Sequence, residues 1–190
     1  MMRFAEKVAR LKHWQVFAAI GLPFIAAQFH LHFLLSANFD VARFEEVFTR
    51  AMLVNIPIFS LFLFWLWSIT VVANREIPSE YRPALKLYHS MLPYVVAYFL
   101  FATFIFSRPS NLQDPVVPIG LIFPFHLVAM FGMFYALVFC AKNLVMAERQ
   151  QRVSFTNYVL PLFLIWFYPI GVWLIQPRVN VIHRSGNTTA

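Results

Sequence analysis

Residues 51–73 read AMLVNIPIFSLFLFWLWSITVVA, and no Asp, Glu, Lys or Arg occurs among these 23 positions. A helix needs about 20 mainly apolar residues to cross the roughly 30 Å of hydrocarbon in a bilayer. The apolar residues are continuous here and do not alternate with polar ones, which favours a helix over a strand of a barrel. The stretch therefore predicts a membrane-spanning helix.

Four more windows of the chain lack formal charge in the same way. All 23 charged residues lie within 66 positions, which leaves the uncharged windows 13–39, 51–74, 87–107, 115–141 and 153–177. Because only helices and closed barrels satisfy every backbone group in lipid, each window predicts a helix. We predict an all-α polytopic integral membrane protein, a single transmembrane domain over residues 1–190, with five spans at about 14–35, 51–73, 87–106, 117–141 and 157–175.

The composition excludes a water-soluble enzyme. Hydrophobic residues make up 61% of the chain and charged residues 12%, whereas soluble domains carry roughly 45–50% and about 25%. Cys140 is the only cysteine, which excludes a disulfide scaffold. The basic residues that give the net charge of +7 are expected to face lipid headgroups. They do not indicate nucleic-acid binding, because no basic cluster is interleaved with stacking aromatic residues. The predicted partners are the lipid bilayer, further copies of the chain or another membrane protein, and no nucleic acid.

The fifth window leaves two paths through the membrane open. It contains Pro161, Pro169 and Gly171, and Pro177 follows the predicted span. A kinked spanning helix is the favoured interpretation, because membrane helices tolerate proline. The alternative is a bundle of four spans with a re-entrant or interfacial C-terminal helix.

The distribution of basic residues predicts the orientation of the chain. With five spans, 10 of the 15 Lys and Arg residues lie on the side of the N-terminus, and with four spans the number rises to 12. Lysine and arginine are enriched in cytoplasmic loops. Both topologies therefore predict that the N-terminus is cytoplasmic.

Histidine is the only residue type in the predicted spans that titrates near neutral pH, because none of the spans contains Asp, Glu, Lys or Arg. By depth, His30 in the first span and His126 in the fourth are expected to approach one another in the outer leaflet. A facing pair of this kind is a candidate haem or metal site. The commoner role of histidine in a membrane is a hydrogen bond across helices. Beyond this pair, the sequence predicts no cofactor and no metal.

Asn55, Ser60 and Thr70 are polar residues of the second predicted span. Their ordinary role is hydrogen bonding between helices, and in an oligomer of several copies they are candidates for lining an uncharged pore. Asn55 lies beside Pro57, which frees a backbone carbonyl one turn earlier, so this amide is also a candidate for lining a small cavity. The tryptophans predicted to face lipid or the membrane interface are Trp65, Trp67, Trp166 and Trp173.

Two amphipathic segments are predicted outside the spans. Residues 1–12 predict a basic helix on the membrane surface, with Phe4, Val8 and Leu11 on its apolar side. Residues 40–50 predict a short, separate helix on the opposite surface.

Three polar residues at the end of the last predicted span are candidates for an interfacial anchor. Gln176 offers an amide at the interface, while Arg178 and Asn180 suit lipid phosphate or the last carbonyls of the helix. Pro177 ends the helix in this interpretation, because proline cannot continue the ladder of backbone hydrogen bonds. The more specific alternative is that the same residues form a gate or contact a partner protein.

Residues 11–17 read LKHWQVF, and residues 155–158 and 166–180 read FTNY and WFYPIGVWLIQPRVN. The string Pro-Ile-Gly-Val-Trp-x-x-Gln-Pro-Arg-x-Asn is the most specific part. These segments cover under a fifth of the chain and resemble the start and end of a family of small polytopic bacterial membrane proteins without an established activity. The resemblance implies a bacterial inner-membrane protein and carries over no functional residues.

The sequence contains no nucleotide-binding loop, catalytic triad order or zinc spacing, and it predicts no enzyme. The favoured class is a non-catalytic membrane protein that acts as a subunit, scaffold or sensor through helix packing with itself or with partners. A second class is a small oligomeric channel or membrane-permeabilising effector lined by Asn55, Ser60 and Thr70. A third is a membrane haem or metal protein that uses His30 and His126.

Overall fold

The computed structural model of the protein describes residues 2–36, 41–106 and 119–188. Over these ranges it is helical and contains no strand, which confirms the all-α class. The helices are α1 (Met2–Arg10), α2 (His13–Val16), α3 (Leu22–Ser36), α4 (Val41–Glu76), α5 (Lys86–Phe106), α6 (Ile119–Arg149), α7 (Phe155–Trp166) and α8 (Tyr168–Thr188), and a π-helical segment, Phe17–Gly21, joins α2 to α3.

Four helical stretches of the described residues are long and apolar enough to cross a membrane. They are His13–Leu34, Thr49–Glu76, Lys86–Ile105 and Gly120–Arg149. They coincide with the first four predicted spans and confirm a polytopic membrane protein.

The π-helical segment accommodates a proline inside the first span. Pro23 has no backbone N–H and crowds the carbonyl of Ala19, one turn earlier. The helix widens at this point, and the N–H of Leu22 bonds to the carbonyl of Phe17, five residues back. The wider turn keeps the helix continuous from the end of α2 into α3.

Helix α4 corrects the prediction of a separate surface helix over residues 40–50. The structure has one helix of 36 residues from Val41 to Glu76. No glycine or proline occurs between residue 41 and Pro57, so nothing in the sequence interrupts the helix where the membrane span begins.

The C-terminal part of the chain forms a helical hairpin and not a fifth spanning helix. Helix α7 has 12 residues, about 18 Å, and the chain leaves helical geometry at Phe167, where φ is −89° and ψ is 53°. Pro169 then occupies the first turn of α8, where its missing N–H costs no hydrogen bond. The prediction of one span over residues 157–175 is therefore wrong, because this break turns the chain back.

The partners of α8 show where the hairpin returns. Tyr168 at its start lies against Phe62, halfway along α4, with ring centroids 4.8 Å apart. Ten residues later, Arg178 bonds to Glu148 in the last turn of α6, at the end of the bundle where α7 begins. The re-entrant alternative describes this segment.

The helical hairpin, α7 and α8, places the two terminal helices at one end of the bundle. This end, called the termini end below, holds α1, the last turns of α4 and α6, and the second half of α8. A carboxylate oxygen of Glu6 in α1 lies 3.1 Å from the guanidinium of Arg75 in α4. The opposite end, called the far end, holds Ser36 and the start of α6.

Helix α1 packs under the bundle through its smallest residues. Ala5 and Ala9 are each 1% exposed, whereas Phe4 is 62% exposed. The predicted apolar side therefore needs correction, because the alanines form its buried centre and let α1 approach α4 and α8 closely. Val8 and Leu11 flank this contact and are partly buried.

Candidate ligand cavity and helix-docking site

A cavity of about 580 Å³ lies beyond the tip of the helical hairpin, between α3, α4 and α5. It exists because α7, about 18 Å long, is shorter than the roughly 30 Å of hydrocarbon that a spanning helix fills. Tyr168, the first residue of α8, closes the cavity on the side of the termini end. The far half of the bundle thus has a space that the described residues do not fill.

Aromatic rings form much of the cavity wall. The ring of Tyr168 has its centroid 5.3 Å from that of Phe24 on α3 and 4.8 Å from that of Phe62 on α4. The rings of Phe59 on α4 and Phe99 on α5 are 4.5 Å apart. A wall of this kind offers flat, polarizable surface to an apolar molecule.

Three neutral polar groups interrupt the apolar wall. The side-chain amide of Asn55 donates to the carbonyl of Ala51 at 2.7 Å, which leaves one N–H and the amide oxygen over. Gln28 lies on the α3 side, and Tyr168, although only 8% exposed, finds no hydrogen-bond partner for its hydroxyl among the described residues. A hydroxyl that is shielded from water and lacks a partner is unfavourable, so Tyr168 can bind a polar atom of a molecule in the cavity.

The other candidates for a pore lie in different surroundings from Asn55. Thr70 is fully buried, and its hydroxyl oxygen lies 2.9 Å from both the carbonyl of Leu66 and the hydroxyl of Tyr88. It therefore ties α4 to α5 inside a single chain. Ser60 is partly buried in the middle of α4. A pore lined by all three residues stays a prediction.

The two candidate haem or metal ligands have separate surroundings. Nδ1 of His126 lies 2.9 Å from the hydroxyl of Tyr98 on α5. His30 lines a second cavity, of about 270 Å³, between α3 and α4. No group of three or more metal-ligating side chains occurs within the ranges that the structure describes. Their pairing stays a prediction.

Gln176 joins α8 to the end of α1. The last carbonyls of any helix lack partners within that helix, and α1 ends at Arg10. The side-chain nitrogen of Gln176 lies 3.1 Å from the carbonyl oxygen of Val8 and 3.0 Å from that of Leu11, and its oxygen accepts from the indole N–H of Trp65 at 2.9 Å. Gln176 is fully buried, so it docks one helix onto another instead of lying at the lipid interface.

The other two predicted anchors also have protein partners. The guanidinium of Arg178 makes two contacts with the Glu148 carboxylate, of 2.6 and 2.5 Å. The amide of Asn180 donates to the carbonyl of Leu11 at 3.3 Å. We call Gln176, Asn180 and the carbonyls that they bind the docking site.

Several residues of this region have roles that sequence reasoning did not assign. Trp65 is 1% exposed and belongs to the core, not to the lipid-facing aromatic residues. Asn74 donates to the side-chain oxygen of Asn143 at 2.9 Å and joins α4 to α6. Polar residues at the ends of spans were the available signal, but their partners lie 69 or more positions away along the chain.

His183 completes the contact between α8 and α1. Its Nε2 accepts a hydrogen bond of 3.1 Å from Nε of Arg10, which requires a neutral imidazole. Burial lowers the pKa of His183, and the charge of Arg10 lowers it further, against smaller opposing effects of Glu6 and Glu76. Arg75 also acts in the lowering direction.

We expect the stability of this contact to depend on pH. The folded chain holds the pKa of His183 below its usual 6.5, so the unfolded chain binds the proton first as the pH falls. The free energy of unfolding therefore has its full value above pH 6.5. It decreases as the pH falls from 6.5 towards the lowered pKa of His183. Thermal unfolding in nanodiscs between pH 7.5 and 5 measures this effect, and His183→Gln, which cannot titrate, is the control. An equal decrease in both proteins would contradict the assignment to His183.

The fold and the site define an all-α polytopic membrane protein with a cavity in its far half and a terminal helix docked at the opposite end. No known protein family, curated protein or solved structure matches the chain.

Proposed function

We propose that the protein is a non-catalytic sensor of a bacterial cytoplasmic membrane. In this proposal, a lipid-soluble ligand occupies the cavity, and the docking of α1 on α8 is the output that a partner protein or a second copy reads. The observation that carries the proposal is that one helix serves both sites. Tyr168 of α8 lines the cavity, and Gln176 of the same helix holds α1.

The proposed orientation places the termini end in the cytoplasm. The helical hairpin brings Arg178 and Arg184 to this end, so that 12 of the 15 Lys and Arg residues belong to it by their position in the chain. Such an excess is typical of cytoplasmic segments. The output helix α1 would then face the cytoplasm, where soluble partners are available.

A filled cavity is expected to hold α1 more tightly. The lining of an empty cavity lacks contact atoms, and filling part of it restores stability on the order of 1 kcal/mol. Because Tyr168 is part of that lining, the gain in stability extends to α8 and to the docking site on it. A ligand that binds only the folded state stabilises it in the same way.

Ala51→Phe tests this coupling without any knowledge of the ligand, because Ala51 lines both cavities. A cysteine replacing Ala9, which is 1% exposed, reports the release of α1 through its reaction with a water-soluble maleimide in a Cys140→Ala background. We expect Ala51→Phe to slow this reaction about fivefold or more, which corresponds to roughly 1 kcal/mol.

Two controls separate coupling from general effects. Ala97→Phe adds the same side chain at an exposed position of α5 and should leave the labelling rate unchanged. A cysteine replacing Ile77, which is buried at the termini end and whose carbonyl accepts from Arg82, reports overall stability. Equal labelling at position 9 with and without Ala51→Phe would show that the cavity and α1 are independent and would overturn the proposal.

A further inference from the structure

We infer that the cavity beyond the hairpin tip binds a neutral lipid with a flat, conjugated head that carries carbonyl oxygens, the chemistry of an isoprenoid quinone. The inference rests on the proposed function and names the ligand class of the same cavity. Its volume of about 580 Å³ lies within the roughly 300–1,000 Å³ of ligand sites in proteins.

The wall of the cavity selects a neutral molecule. No Asp, Glu, Lys, Arg or His is among the described residues that line it. A charged head in the larger cavity would lose its hydration without a counter-charge on that wall, at a large cost in free energy, because His30 and Arg50 line only the second cavity. The ligand therefore reaches the cavity from the bilayer as an uncharged lipid-soluble molecule.

The aromatic residues select a flat head over a flexible chain. Tyr168 contacts Phe24 and Phe62 along one stretch of the wall, and Phe59 meets Phe99 on another. Aromatic side chains gain from offset or edge contacts with a conjugated ring, beyond the area that they bury. An alkyl chain would gain only the burial of its surface.

The polar groups select oxygen atoms that accept hydrogen bonds. The Tyr168 hydroxyl has no partner among the described residues, and Asn55 retains one N–H after its bond to Ala51. Both are donors on the wall of one cavity, and carbonyl oxygens of a quinone-like head would accept from them. A hydrocarbon chain in the same place would leave the Tyr168 hydroxyl without a partner.

The cavity also has room for the start of an isoprenoid tail. The second cavity, of about 270 Å³, shares Leu31, Val47, Ala51 and Asn55 with the first. It continues between α3 and α4, towards the far end of the bundle. A ring would occupy the larger cavity and the first units of a tail the smaller one.

Decylubiquinone is the probe for this inference, and decylbenzene, which has a flat ring without carbonyl oxygens, is the matched control. The full chain is reconstituted in phosphatidylcholine nanodiscs, and binding of decylubiquinone is measured by quenching of tryptophan fluorescence, since Trp65 lies beside Phe62 of the cavity wall. Decylbenzene does not quench tryptophan, so its binding is measured by the recovery of fluorescence as it displaces decylubiquinone. We expect saturable binding of one decylubiquinone per chain. Tyr168→Phe, which keeps the ring and removes the hydroxyl, should weaken binding about tenfold, as expected for one lost hydrogen bond. Ala51→Phe should prevent it.

The outcomes separate this inference from the proposed function. Equal binding of decylbenzene and decylubiquinone, or equal binding to the native chain and to Tyr168→Phe, would overturn the ligand class. No saturable binding of decylubiquinone would overturn it too, and the sensor proposal would stand if Ala51→Phe still slowed labelling at position 9. Saturable binding of decylubiquinone, together with a labelling rate at position 9 that Ala51→Phe does not change, would support the ligand class and overturn the sensor proposal.

Discussion

Replacing Gly171 with alanine is expected to lower the free energy of unfolding by about 3 kcal/mol or more and to open the helical hairpin. A Cβ atom at position 171 would lie 1.6 Å from the backbone carbonyl oxygen of Leu164 and 2.4 Å from its carbonyl carbon. Both atoms belong to the backbone of α7, so no side-chain rotation relieves the clash. The two helices must separate near their tip.

Gly120→Ala is the matched control, because a Cβ there meets no atom of the described residues within 4 Å. Alanine inside a helix is more favourable than glycine by about 1 kcal/mol, so this variant should be unchanged or slightly more stable. Thermal unfolding in nanodiscs measures both variants, and labelling at position 9 shows whether α1 is released. If Gly171→Ala behaved like Gly120→Ala, α7 and α8 would not approach one another as described.

Replacing Gln176 with leucine is expected to release α1 from the bundle. The change removes the donor to the carbonyls of Val8 and Leu11 and leaves the buried indole N–H of Trp65 without its acceptor. The carbonyl of Val8 keeps the N–H of Leu11 and the carbonyl of Leu11 keeps the amide of Asn180, so α1 loses two hydrogen bonds of about 1 kcal/mol each. A loss of about 2 kcal/mol corresponds to roughly thirtyfold faster labelling at position 9, and the unpartnered indole lowers the overall stability further.

The control for Gln176→Leu is the same substitution at an exposed glutamine. Gln151 lies in the connection between α6 and α7 and is exposed. Gln151→Leu should therefore leave the labelling rate and the unfolding temperature unchanged. If position 9 were labelled as slowly in Gln176→Leu as in the native chain, Gln176 would not be the residue that holds α1.

The continuous apolar runs of the sequence were enough to predict the four spans. Each is a continuous apolar run without charge, and the energetic cost of an unsatisfied backbone in lipid leaves the helix as its conformation. The same reasoning could not choose the path of the fifth window. Pro169 and Gly171 are compatible with a kink or with a full turn, and only the approach of residue 171 to Leu164 distinguishes them.

The candidate site was predicted only in part. The proline next to Asn55 indicated a cavity, and Asn55 does line one, but Tyr168 was not identified because its role depends on where the hairpin turns. Gln176 was identified as a polar residue at the end of a predicted span. Its partners, Trp65 and the carbonyls of α1, lie far away in the sequence and leave no local signal.

The sequence by itself determined that this is a helical membrane protein, because hydrophobicity and backbone hydrogen bonding in lipid act locally along each apolar run. The tertiary structure alone decided that the last apolar run turns back halfway through the bundle. The reason is steric: glycine at position 171 permits a backbone approach between α7 and α8 that no other residue allows. That one turn produces the cavity in the far half, brings α8 to α1, and places both ends of the described chain on the same side.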